Sequence, residues 1–103
     1  MPPPRIAEKD LLTADEMALF TLSQDSAALA KHSPAQLRDK IARARNLRDR
    51  ARALYRKQTG RIQAATGTKR GFSGMANERS KQKGEVLHNV VERLTEARDK
   101  ALA

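Results

Sequence analysis

Ser33-Pro34-Ala35-Gln36-Leu37-Arg38-Asp39-Lys40-Ile41-Ala42-Arg43-Ala44-Arg45-Asn46-Leu47-Arg48-Asp49-Arg50-Ala51-Arg52-Ala53-Leu54-Tyr55 is the stretch on which the fold turns. Serine is a preferred helix cap, proline fits the first helical position where no N–H bond is lost, and a glutamine three residues after the serine completes a capping box. From that start Leu37, Ile41, Ala44, Leu47, Ala51, Leu54, Tyr55 and Ile62 recur at three- and four-residue steps. On a helical wheel they fill an arc of about 140°, the width of a core-facing stripe. The pattern predicts a helix from Pro34 to about Ala65, roughly 48 Å long at 1.5 Å per residue. Gly60, beside Thr59, is where its last turns are expected to kink or fray.

Downstream, residues 66–77 gather Gly67, Gly71 and Gly74 with Thr, Ser and basic side chains, which reads as a flexible loop. Asn77 or Ser73 is a candidate cap for a final helix over about 78–102, with Leu87, Val90, Val91, Leu94, Ala97 and Ala101 as its stripe. Gly84 weakens the first half of that helix. Upstream, Pro2-Pro3-Pro4 favours polyproline II, so residues 1–12 are expected to be an extended lead-in. Thr13-x-x-Glu16 is a second capping box, and Leu12 and Met17 have the spacing of a hydrophobic staple. It opens a helical region over about 14–30, either one helix or two pieces broken near Ser23-Gln24-Asp25-Ser26.

No stretch alternates with the period of a strand, and no internal repeat is present. The expected fold is all-α, a single helical domain over 13–103. It is a small bundle built on a long antiparallel helical hairpin, with an additional N-terminal helix laid over it. The stripes also follow roughly coiled-coil spacing, so a homodimer is equally admissible. A chain of 103 residues affords a modest core, and with three aromatic residues (Phe20, Tyr55, Phe72) that core must come from Leu, Ile, Val, Met and Ala. Cysteine is absent, which excludes disulfides and thiolate chemistry. No apolar run approaches the ~18 residues of a membrane span, and the N-terminus lacks the pattern of a secretory signal. A soluble cytoplasmic protein is the default expectation.

The formal net charge is +9 with pI near 10.7, and it is unevenly placed. Between Ser33 and Thr68 the basic residues are Arg38, Lys40, Arg43, Arg45, Arg48, Arg50, Arg52, Arg56, Lys57 and Arg61, against two carboxylates, Asp39 and Asp49. Both ends of the chain are mildly acidic. On the wheel Arg38, Arg45, Arg52 and Arg56 border the stripe on one side, with Arg48 nearly inside it. Arg43, Arg50, Lys57 and Arg61 border the other side, and Lys40 intrudes on the stripe's edge. Two basic rails result, rich in the planar guanidinium fork that grips phosphate oxygens bidentately.

Those rails suggest a small protein that binds DNA or RNA through backbone phosphates with low sequence specificity, driven by counterion release. The candidate contact residues are Arg38, Arg43, Arg45, Arg48, Arg50, Arg52, Arg56 and Lys57. Lys69 and Arg70 of the Gly-rich loop are accessories, continued by Arg79, Lys81 and Lys83. Few aromatics argue against reading of bases by stacking. The alternative is a helical adaptor, or a homodimer, whose rails pair with acidic surfaces on a protein partner or on the chain itself. Catalysis is not expected: His32 and His88 lie far apart, neither has a carboxylate at metal-ligand spacing, and the loop lacks the Walker pattern. No cofactor is implied. An alanine-rich stripe without Trp makes membrane insertion shallow at best.

Overall fold

The structure, a computed structural model, describes the backbone of residues 5–66 and 75–103 and the side chains of 5–60 and 77–103. Five helices follow in order: α1 (Glu8–Leu11), α2 (Ala14–Gln24), α3 (Ser26–Ala30), α4 (Pro34–Thr66) and α5 (Met75–Leu102). The long pair α4 and α5 forms the expected antiparallel hairpin, about 51 Å along its longest axis, and α1–α3 lie against it. No strand occurs among the described residues.

Both capping boxes close through their side chains. At α4 the Ser33 backbone N–H donates to Gln36 Oε1 at 2.8 Å, and the Gln36 N–H donates to Ser33 Oγ at 3.1 Å. At α2 the Thr13 N–H donates to Glu16 Oε1 at 2.9 Å, and the Glu16 N–H to Thr13 Oγ1 at 3.3 Å. Leu12 and Met17 then share one apolar cluster, as the staple spacing implied. The region 14–30 takes the two-piece form. Asp25 ends α2 with extended backbone and caps α3 by accepting from the Ala28 N–H at 3.1 Å. Having no β-carbon penalty to relieve, Asp serves here through its side-chain oxygen, which competes with the helix for backbone donors.

The main core joins Leu37, Ile41 and Ala44 of α4 to Val90, Val91 and Leu94 of α5, with Leu19 of α2 closing it. Ala44 is fully buried, which lets the two long helices approach closely. A second cluster is made by Leu11, Leu12 and Val86, with Ile6, Met17 and Phe20 packed on it.

Three sequence expectations need correction. Residues 8–11 are not extended lead-in but the short helix α1, and Leu11 is fully buried. Pro2–Pro4 lie outside the described residues; Ile6, Leu11 and Leu12 pack with Val86 of α5, and that burial decides the conformation of 8–11. Helix α5 begins at Met75 rather than near 78, so Asn77 sits inside it instead of capping it. Asn77 is buried, and its Oδ1 lies 3.3 Å from the Thr59 hydroxyl. Finally, Leu54 is not part of the core. It is 47% exposed, whereas Leu47, seven residues earlier and on nearly the same azimuth, still meets the cluster around α2. The N-terminal helices reach Leu47 and stop short of Leu54.

Candidate nucleic-acid interface

At 3.6 residues per turn, α4 carries its two basic rails on opposite flanks of the buried stripe. The structure distinguishes them. On one flank Arg43 Nη2 donates to Asp15 Oδ2 of α2 at 2.9 Å, so the N-terminal helices neutralise that rail where they cover it. Arg50 and Lys57, further along, are exposed. On the other flank Arg38, Arg45, Arg52 and Arg56 are all exposed, over roughly 27 Å of helix at 1.5 Å per residue. Arg38 lies 4.0 Å from its neighbour Asp39, both well exposed, a contact worth little in water.

Arg48 belongs to neither rail. Its side chain is only 17% exposed, and its Nε donates to Asp49 Oδ1 at 3.1 Å. Lying nearly in the stripe, it covers apolar surface with its stem and keeps its head at the edge. Lys69 and Arg70 lie outside the described residues, as does Phe72, and so do the side chains of Arg61 and Ile62.

Two further basic residues are spent internally. Arg79 Nη2 donates to the carbonyl of Asp10 and, at 3.4 Å, to that of Leu11, closing the C-terminal end of α1. Lys83 Nζ lies 3.0 Å from Glu16 Oε1, and the Glu16 side chain is 6% exposed. Burial pushes the Glu16 carboxyl up, but the Thr13 backbone N–H and the Lys83 ammonium together outweigh it, so the group sits below the ordinary carboxylate value. With the Ile6 N–H donating to Gln82 Oε1 at 2.7 Å, positions 79, 82 and 83 form one strip of α5 that ties down the N-terminal segment. Sequence reasoning had placed Arg79 and Lys83 on a continuous basic surface. The buried Leu11 and Leu12 were the signal for this strip, being too apolar to belong to a solvated lead-in.

Several carboxylates are thereby engaged close at hand. Asp15 and Glu16 serve Arg43 and Lys83, Asp49 serves Arg48, Glu92 Oε1 lies 3.5 Å from His88 Nε2, and Asp99 lies 3.2 Å from Arg98. Among the described residues, none pairs with Arg45, Arg50, Arg52, Arg56 or Lys57. His32 is half-buried with Nδ1 2.8 Å from the Ala28 carbonyl, at the end of α3. No group of three His, Cys, Asp or Glu side chains among the described residues is placed to hold a metal ion. No helix among them is long and apolar enough to cross a membrane.

Protein-family models match no part of this chain, and neither a curated protein nor a solved structure is similar to it. The functional reading therefore stands on the surface itself.

Proposed function

We propose that this protein binds DNA or RNA through backbone phosphates, with the Arg38–Arg45–Arg52–Arg56 flank of α4 as the principal contact and with low sequence specificity. One observation carries the reading: Arg45, Arg52 and Arg56 stand exposed in a row with no carboxylate partner among the described residues. Unpaired guanidiniums along one edge repel one another, a cost that a polyanion removes while releasing its own counterions. Because the two rails face opposite ways, a single duplex engages one of them. Arg50 and Lys57 add to the long-range field. An adaptor or homodimer that brings an acidic surface to the rails is the second reading; the exposed Leu54, between Arg50 and Lys57 on the other flank, favours it.

Fluorescence anisotropy of a labelled duplex tests the proposal. With about four phosphates neutralised, log K should fall against log salt with a slope near −3.6 for duplex and near −2.8 for a single strand. Arg52→Gln should make the slope shallower by about 1, whereas Arg43→Gln, already matched by Asp15, should change it less. Absence of binding at ~50 mM salt, or affinity indifferent to salt, overturns it.

A further inference from the structure

On the side of the hairpin that α1–α3 leave uncovered, α4 and α5 part to form an open groove of about 440 Å³. Its buried floor is Ser80 and Gly84 of α5. Arg52 and Tyr55 make one wall, and Lys81, Glu85 and His88 the other. Gly84 shapes the site: a β-carbon there would meet Arg52 Cγ at 3.5 Å and Ala51 Cβ at 3.9 Å. The arginine stem thus runs along the space that a larger residue would fill, and its guanidinium emerges on the exposed rail.

The lining is unlike that of a simple phosphate site. Glu85, exposed on one wall, opposes any anion seated in the groove. A volume at the lower end of the ~300–1,000 Å³ found for small-molecule sites is more than one phosphate needs. Tyr55 is the chain's one tyrosine, and its half-buried ring belongs to the groove wall. His88 adds ring surface: its Nε2 lies near Glu92 and its Nδ1 is buried without a hydrogen-bond partner among the described residues. Flat aromatic surface, the stems of Arg52 and Lys81, and one carboxylate that accepts from an exocyclic amine together suit a heterocyclic base. Arg52 belongs both to the groove wall and to the rail, so the phosphates on either side of that base would run along the rail.

We propose that this groove seats an unpaired nucleobase of a single-stranded nucleic acid, stacked against Tyr55, while Arg45, Arg52 and Arg56 hold the adjoining phosphates. The inference rests on the phosphate-binding reading of the rail and adds to it a preference for single strands over duplex. It departs from the sequence expectation that bases go unread: the count of aromatic residues was low, but the fold brings Tyr55 and His88 to one groove. Bases stack on aromatic rings and guanidinium planes without needing a sequence-specific code, so specificity stays low.

The chain contains one tyrosine and no tryptophan, so its intrinsic emission reports on Tyr55 directly. The unmodified protein is titrated at low salt with a short single-stranded oligonucleotide, and in parallel with an abasic oligonucleotide carrying the same number of phosphates. The oligonucleotide should bind about ten-fold tighter than the abasic strand and quench the tyrosine emission, which the abasic strand should leave largely unchanged. Tyr55→Ala should bring the two affinities together with the salt slope intact, and Tyr55→Phe should keep them apart. Equal affinities with unquenched tyrosine in the unmodified protein overturn the base seat and leave the phosphate reading standing. Failure of either strand and of duplex to bind at low salt overturns both.

Discussion

Glu16 concentrates more of the fold into one side chain than any other residue. It completes the capping box of α2 with Thr13 and, at 3.0 Å from Lys83, it anchors the N-terminal helices to α5. Gln in its place keeps the reach to the Thr13 N–H and removes the charge, so Glu16→Gln isolates the ion pair from the cap. Losing the charged acceptor of a partly buried ammonium costs about 1–3 kcal/mol. Because the folded-state carboxyl lies below its ordinary value of 4.5, its contribution is present above that value and is lost as pH falls through the folded one. Urea melts should therefore show the variant less stable than the parent at pH 7, with the gap closing as the solution is acidified below 4.5 and through the lowered folded-state value. An equal gap at both pH values would mean that the charge of Glu16 does not hold the helices together. None of this pairing was legible from the chain: Thr13-x-x-Glu16 announces a cap, but which cation meets the glutamate depends on a contact between residues 67 positions apart.

At the scale of the element, the long helices were readable because their signals are local. Ser33-Pro34-x-Gln36 fixes one end of α4, and the three- and four-residue steps of Leu37, Ile41, Ala44 and Ala51 survive as buried contacts. What failed was what depends on neighbours. Leu54 has the right spacing and no helix above it, while Arg48 has the wrong chemistry and a mostly covered side chain. Both glycines expected to weaken the helices lie inside them, Gly60 in α4 and Gly84 in α5. Helical backbone imposes no need for glycine at 84, and a β-carbon there makes only ordinary van der Waals contact. Gly84→Ala should consequently stabilise the hairpin by about 0.5–1 kcal/mol, measured as a higher urea midpoint with an unchanged slope. A lower midpoint would show that the methyl crowds the stem of Arg52 more than a contact of 3.5 Å implies.

For the whole molecule, the net charge of +9 acts in two opposite senses. On the proposed reading it draws in polyanions, and in the free protein it pushes the folded chain apart. Successive rail arginines seven residues apart lie ~10 Å from one another along α4, and each such pair costs about 0.4 kcal/mol in unscreened water. Unfolding spreads the same charges over a larger volume, so the repulsion falls mainly on the folded state. Salt shortens the screening length from ~30 Å at 0.01 M to ~8 Å at 0.15 M, which relieves the rails more than it weakens the buried Glu16–Lys83 pair. Stability and nucleic-acid affinity should then respond to salt with opposite signs. In a thermal melt followed by circular dichroism, Tm is expected to rise by about 5 °C over that range of NaCl, equivalent to roughly 1 kcal/mol for a domain of this size. A polyanion added at low salt should raise Tm by the same relief plus its binding energy, and lose that effect as NaCl is added. If Tm instead falls as NaCl is added to the free protein, attractive pairs outweigh the rails, and the unpaired arginines are not the strained surface on which the phosphate reading depends.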